Sequence, residues 1–440
     1  MVNVVVPKNN ESERRYIFKT LLNDYLGIDF NLVYDENIQH YSLKFDDCEL
    51  IIKDYFFGQY PEALSYLKKE SLPSEIIYAS NKFTFENDIP VIYGSGNISV
   101  TENKVICELD IFASCFFMLT RWEEYVNTNR DEHQRFLAKD SIAYKNNFLH
   151  RPVVNEYVEF LWNLLVKSGF KGERKKRSYE LVLTHDIDQL DYPGIFKIIA
   201  GDIVKRRNIK LAQKHFNYFK TYNKNPYDTF DFMMTVSEKL GVKSRFYFMS
   251  SDSKKWPDNH FYVYTKRFEQ KIKEIKERGH IIGFHPGYYT CDDMERWAYE
   301  KQLLEKTSQG DIIEGRQHYL MFKVPDTFRL WDKNDMQIDS TMGYADHEGF
   351  RCGTGDVFNV YDFLEQKELR LRERPLIIMD GNLVSYGISE AIRKIKEYIH
   401  TAKKYNSVIT ILFHNTTFYG EYWNGYDKLY TESLGINSSL

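Results

Sequence analysis

The chain has 440 residues, enough for two or three domains and at least one large core, with 59 Lys and Arg against 63 Asp and Glu for a net charge of −4. That balance excludes the strongly basic profile of a nucleic-acid-binding protein, and 43% hydrophobic with 28% charged residues excludes wholesale disorder. The composition departs from average in its aromatics, 33 Tyr, 31 Phe and 6 Trp, or 16% of the chain.

The N-terminus, Met-Val-Asn-Val-Val-Val-Pro, turns charged without a basic region, a long apolar core or a small-residue cleavage site. The longest apolar run, Ile111 to Leu119, is far short of the roughly 20 residues that span a bilayer. A cytoplasmic protein with no transmembrane segment is expected. Cys48, Cys107, Cys115, Cys291 and Cys352 are odd in number and widely spaced, so reduced thiols are expected rather than a disulfide frame or a cysteine zinc site.

From the start, short alternating runs predict strands near 2–6, 31–34, 41–45, 49–53, 91–93 and 104–109, with helices near 11–26, 112–125 and 153–167. This reads as a smaller α+β domain over residues 1–170. The polar, basic stretch 171–177 follows as a solvated linker.

From Ser178 onward, strands alternate with helices, the pattern of βα units and a parallel sheet. Strands are predicted at 180–185, 245–249, 281–285, 312–319, 337–339, 376–379 and 408–413. The fold class expected is therefore α/β, a distorted seven-stranded β/α barrel over 178–440. In such barrels chemistry collects at the C-terminal strand ends. Those ends carry Asp186, Asp188, Asp252, His285, Arg316, His318, Asp339, Asp380 and His414.

Four of these ends form constellations. Leu181-Val-Leu-Thr-His-Asp-Ile-Asp188 is an apolar strand running straight into two carboxylates. Residues two apart in extended chain face the same side, so Asp186 and Asp188 share a site, which favours a bound cation or a raised pKa on one acid. Gly279-His-Ile-Ile-Gly-Phe-His-Pro-Gly287 ends in an imidazole able to offer a neutral nitrogen to a divalent metal, whereas His280 precedes its strand. In Gly315-Arg-Gln-His-Tyr-Leu320 the same period of two puts Arg316 and His318 together: Arg316 to orient a carboxylate, His318 to complete a metal site or contact substrate. Ile409-Thr-Ile-Leu-Phe-His-Asn415 closes a buried strand on His414, suited to a general acid.

In this order the four elements resemble the polysaccharide deacetylases of carbohydrate esterase family four, over about 60% of the chain. Thr184-His-Asp-Ile-Asp188 is similar to the family's first motif. The resemblance implies Asp186 as catalytic base and Asp188 and His285 as metal ligands. It further implies Arg316 as the residue that holds the base, and His414 as the acid. It implies Zn²⁺ or another divalent metal, and removal of acetyl groups, N-acetyl foremost, from a sugar or polysaccharide. Where the family has its second metal histidine, four residues after the first, this chain has Tyr289, and His318 is the expected substitute. The phrases His285-Pro-Gly-Tyr288, Arg316-Gln-His-Tyr319 and Gly349-Phe-Arg-Cys-Gly353 are similar to those of a bacterial subgroup associated with capsule or O-antigen gene clusters. So are Leu119-Thr-Arg-Trp-Glu-Glu-Tyr125 and Arg151-Pro-Val-Val-Asn-Glu156 in the N-terminal part.

The expected partners are a saccharide and other enzymes of polysaccharide biosynthesis. Tyr289, Tyr319, Arg351 and Trp423 are the expected saccharide contacts, within an aromatic set that also includes Phe284, Tyr288, Phe322, Tyr344, Phe350, Tyr386, Phe418, Tyr419 and Tyr422; aromatic faces pack on the apolar faces of sugar rings. Two other readings stand beside this one. A catalytically impaired carbohydrate-binding homologue accounts for Tyr289, and a metal-dependent glycosyltransferase also uses an Asp-x-Asp pair after an apolar strand.

Overall fold

The computed structural model describes residues 1–101, 104–192, 194–222, 225–420 and 423–436; Tyr422 lies outside them. The chain divides into two compact units that interleave in sequence. The first comprises Met1–Leu181, Tyr319–Asn382 and Glu397–Thr410, and the second Val182–His318, Leu383–Lys396 and Ile411–Leu440. Among the described residues no helix is long and apolar enough to cross a membrane, and the five cysteines form no disulfide.

In the first unit a mixed six-stranded sheet has the order Phe30–Asp35, Val2–Pro7, His40–Phe45, Cys48–Lys53, Lys104–Leu109, Gly94–Val100. Val4 sits opposite Leu32 on a parallel neighbour and Leu43 on an antiparallel one. The apolar run after this sheet becomes the helix Ile111–Thr120, every residue of which is buried. Burial on all sides explains why the run has no polar face. Asp110 starts the helix by accepting a hydrogen bond from the Ala113 N–H at 3.1 Å. Helix Val153–Lys167 has the bounds its periodicity predicts. The expected helix over 11–26 is instead Glu11–Phe18 continued by a π-helical turn, Lys19–Tyr25. An antiparallel hairpin, Phe358–Asp362 with Lys367–Glu373, was not expected. The strands Ile338–Asp339 and Leu376–Met379, read as members of the barrel, also fall in this unit.

Two sequence phrases resolve here into ion pairs of buried or largely buried arginines. The guanidinium of Arg121 holds Glu123 and Glu124, each at 2.9 Å, and Arg151 holds Glu156 and Asp88.

The second unit has five strands in a row: Glu314–Gly315, Ile281–Phe284, Ser244–Phe248, Glu180–Ile187 and the end of Val408–Leu412. The pairings across Ile281–Phe284 and Ser244–Phe248 are parallel. Helices Phe230–Lys239, Lys266–Glu277 and Met294–Ser308 alternate with them, as βα units require. The chain is thus mixed α/β, while a closed barrel of seven strands is not seen among the described residues. The strand expected over 312–319 shortens to Glu314–Gly315 because the residues after it are drawn to buried polar partners, and Tyr319 and Leu320 take positive φ.

Gly283 shows how tightly this sheet is made. A Cβ there would lie 2.4 Å from the ring of Tyr247 and 2.7 Å from the Glu314 carbonyl oxygen, so only a hydrogen fits. Gly283→Ala is expected to cost about 1–3 kcal/mol, the usual range for overpacking, read as a lowered midpoint in chemical denaturation. An unchanged midpoint would show that the sheet relaxes freely at this point.

Candidate metal centre

Alternation along Glu180–Ile187 separates its histidine from its acids. His185 points to one side, where its Nδ1–H donates to the Phe413 carbonyl at 2.8 Å and its Nε2 meets the Ser244 hydroxyl at 3.1 Å. That is a core histidine with both nitrogens engaged. Asp186 and Asp188 point the other way, toward residues that follow the neighbouring strands.

Asp186 is buried and bound by Arg316, whose Nη1 donates to Asp186 Oδ1 and to Thr184 Oγ1, each at 2.9 Å. The guanidinium also lies 5.2 Å from the Tyr247 ring centroid. Arg316 reaches this position because its own N–H pairs with the Phe284 carbonyl at 2.9 Å, and the His318 N–H pairs with the Pro286 carbonyl at 3.1 Å. The backbone thus continues a strand-like alternation past Gly315, and both side chains arrive on one side, as the period of two predicts.

His285 Nδ1 lies 2.7 Å from the Arg316 carbonyl. A carbonyl only accepts, so Nδ1 carries the proton and Nε2 presents a lone pair. That Nε2 faces Asp188 Oδ1 at 3.2 Å, and both atoms are buried without a hydrogen-bond partner. Two lone-pair atoms buried face to face call for a positive charge between them, a proton or a metal ion. The third member is His318, whose Nε2 lies 3.8 Å from Asp188 Oδ1 and whose Nδ1 is 3.0 Å from Asp258 Oδ1. Each of Asp188, His285 and His318 offers one ligand atom, and these atoms all lie within 4.8 Å of one another. One carboxylate and two imidazoles suit zinc or another borderline divalent ion.

The electrostatics agree with the geometry. Burial raises the pKa of Asp188, but His318, His285 and His414 outweigh it and hold the carboxyl well below its ordinary range. Burial lowers the pKa of His285, but Asp186 and Asp188 and the Arg316 carbonyl outweigh it and the net shift is upward. A site that stabilises positive charge this strongly also suits a cation. His414, partly exposed, brings its Nε2 to 4.0 Å from Asp188 Oδ2.

Asp258 is the component that sequence reasoning missed. It lies in the irregular segment Trp256-Pro-Asp-Asn-His260, with no strand leading into it and no periodic signal. Its carboxylate is buried, orients His318 through Nδ1 and accepts from the Tyr288 N–H at 3.0 Å. Burial opposes its ionisation, and the hydrogen bond from His318 overrides this to leave its pKa lowered. Gly287 makes room for it, since a Cβ there would lie 2.6 Å from Asp258 Oδ2. Glu300 fixes the same loop by accepting from the Gly287 N–H at 2.8 Å. Asp258→Asn is expected to weaken divalent-metal binding about 10–100-fold, the usual effect of losing a carboxylate behind a ligating histidine. Competition against a chromogenic chelator measures this, and unchanged affinity would confine Asp258 to shaping the loop.

The remaining sequence-predicted residues are placed as follows. Tyr289 is exposed in the second unit and donates its phenol to the Trp256 carbonyl at 2.7 Å. Trp423, also in the second unit, stands edge-on to Tyr426 at 4.8 Å. Asp252 is exposed and lies near Arg296, at 3.6 Å. Tyr319 and Arg351 fall in the first unit. There Arg135 covers the Tyr319 ring, and the buried Arg351 gives its guanidinium to Glu124 and the Gly343 carbonyl. Arg351, read from sequence as a substrate contact, is therefore held inside the first unit by Glu124.

Comparison with known proteins matches residues 2–169 to a family of unknown function (DUF7033). No curated protein matches the sequence. Eight solved chains match in structure. One, described as a polysaccharide deacetylase from Mycobacterium smegmatis, is 13% identical with a TM-score of 0.37, over 60% of this chain and 86% of that one. Another, a mutant CE4 family pseudoenzyme with restored enzymatic activity, is 10% identical with a TM-score of 0.30, over 58% of this chain. This chain covers 62% of the pseudoenzyme's length, less than two thirds.

Proposed function

We propose that the second unit is a metal-dependent hydrolase that removes acetyl groups, N-acetyl foremost, from a sugar of a surface polysaccharide or its precursor. The observation that carries this reading is the pair of bare, buried ligand atoms on His285 and Asp188, with His318 as a third ligand, beside an Arg-held carboxylate. Asp188, His285 and His318 would hold a divalent cation such as Zn²⁺, whose Lewis acidity polarises a carbonyl and makes water a stronger acid.

The chain's own residues supply the proton transfers. Asp186, fixed by Arg316, takes a proton from the attacking water as the new carbon–oxygen bond forms. His414 protonates the departing amine nitrogen as the carbon–nitrogen bond breaks, so that acetate and a free amine leave. Two carboxylates of one strand thereby take different roles, set by an arginine on one and imidazoles on the other.

The purified full-length protein is expected to retain about one divalent ion per chain by elemental analysis. It should release acetate from N-acetylated oligosaccharides, with the activity lost to a chelator and restored by Zn²⁺. Saccharide binding without metal or acetate release would replace this reading with that of a binding protein. Release of sugar from a nucleotide donor would replace it with a glycosyltransferase.

A further inference from the structure

Between the Asp-x-Asp strand and the helix Phe230–Lys239, the second unit carries two helices, Ile195–Val204 and Ile209–Tyr222, that pack on each other. A tight turn joins them, closed by the Asn208 N–H on the Asp202 carbonyl at 2.8 Å and by Asn208 Oδ1 accepting from the Leu211 N–H at 3.0 Å.

The composition of this hairpin is one-sided. From residue 195 to 220 its basic residues are Lys197, Lys205, Arg206, Arg207, Lys210, Lys214 and Lys220, and its acid is Asp202. Asp202 is buried and paired with Arg206 and with His215 Nδ1 at 2.7 Å, so it offsets Arg206 and leaves Lys205, Arg207 and Lys210 as the uncompensated cations of the tip within the hairpin. Residues 203–210 are exposed without interruption. Within them stand three large aliphatics, Ile203 at 48%, Val204 at 72% and Ile209 at 72% exposure, among Lys205, Arg206, Arg207 and Lys210. Phe216, two turns beyond Ile209 on the same helix face, is exposed at 48%.

Bare aliphatic side chains at a helix tip are unfavourable in water, and they sit here among cations, the hairpin's one acid being already paired with Arg206 and His215. That pairing of apolar insertion with positive charge is the chemistry of a helix that rests in the headgroup layer of a negatively charged membrane. A protein surface would satisfy the aliphatics but leave the cations in need of a matching acidic patch. A second copy docking hairpin to hairpin would not supply one, since the hairpin's acid, Asp202, is already paired with Arg206 and His215.

We propose that the tip of this hairpin, residues 203–210, docks the protein on an anionic lipid bilayer. The aliphatic side chains enter the headgroup region and the flanking lysines and arginines pair with lipid phosphates. The inference does not depend on the hydrolase reading, since it concerns other residues and its readout is not activity.

The test is flotation of the full-length protein with vesicles of phosphatidylcholine alone, or of phosphatidylcholine with phosphatidylglycerol. Binding is expected to the anionic vesicles only, and to fall as salt is raised. Lys205→Glu with Arg207→Glu, and separately Val204→Asp with Ile209→Asp, should each weaken partitioning about tenfold or more. Both pairs are exposed, so circular dichroism should be unchanged. Absence of anionic-vesicle binding, or binding indifferent to both double variants, overturns the proposal. So does an effect of the charge reversal alone, which would assign the tip to a soluble polyanion. A loss of self-association in sedimentation, with vesicle binding intact, would assign it to a second copy of the chain.

Discussion

Asn in place of Asp186 is expected to lower acetate release about 10²–10⁴-fold, the range that a positioned general base contributes. The carboxamide is isosteric, and its Oδ1 still accepts from Arg316 Nη1, 2.9 Å away in the parent, so the side chain stays where it is. It no longer takes a proton. The metal ligands proposed for the site, Asp188, His285 and His318, are untouched, so metal content should match the parent. The loss should fall on kcat with KM little changed, because the base acts as the reaction proceeds rather than in binding. The substitution also removes the carboxylate charge that faces the buried Arg316, and some stability is lost with it. Rates are therefore to be compared well below the variant's own midpoint and per bound metal. Full turnover in folded, metal-loaded Asp186→Asn would remove Asp186 from the mechanism.

The sequence was most legible where one rule controlled a residue's placement. An apolar strand running into Asp186 and Asp188 leaves the acids on one face, and the same alternation carried Arg316 and His318 inward together even though the formal strand is only two residues long. His285 and His414 also follow strands of this unit, and the cluster of Asp188, His285 and His318 is their meeting point. Legibility failed where a residue's partner is decided by distant chain. Asp258 stands in an irregular segment, and nothing local marks it as the support for a histidine 60 residues away. Arg351 stands in a phrase, Gly349-Phe-Arg-Cys-Gly353, that only resemblance singles out, and its ion-pair partner, Glu124, is 227 residues away. The hairpin strand Lys367–Glu373 does alternate, with every second side chain from Leu369 buried, but its charged outer face hides a pattern that a hydrophobic scan seeks. The strand count was short by the two strands of this hairpin, Phe358–Asp362 and Lys367–Glu373, and a closed barrel is not seen among the described residues.

Glu124→Ala is expected to destabilise the first unit by about 3–5 kcal/mol, the cost of stranding a buried charge. Glu124 is 2% exposed and serves two arginines, Arg121 through Oε1 and Arg351 through both carboxylate oxygens. Burial alone would raise its pKa, and Arg351 and Arg121 together hold it below the ordinary range. Arg121 keeps a second acid, Glu123, and a contact with the Tyr344 hydroxyl at 3.2 Å, so its charge remains partly matched. Arg351 keeps the Gly343 carbonyl and the face of Tyr344, which accept hydrogen bonds or polarise but do not neutralise. Removal of the carboxylate thus leaves one guanidinium buried without a counter-ion, and that asymmetry, rather than the lost hydrogen bonds, sets the size of the effect. Glu124→Gln keeps the shape and acceptor geometry but not the charge, so it should recover only a minority of the loss. If instead Gln restores nearly all the stability, the network works through hydrogen bonding. Because the chain has two units, the measurement is the first unit's own unfolding transition, followed with a probe in that unit such as Trp122 fluorescence, not a single global midpoint. Pairing Glu124→Ala with Arg351→Met should be less destabilising than Glu124→Ala alone, since removing the stranded cation removes the penalty.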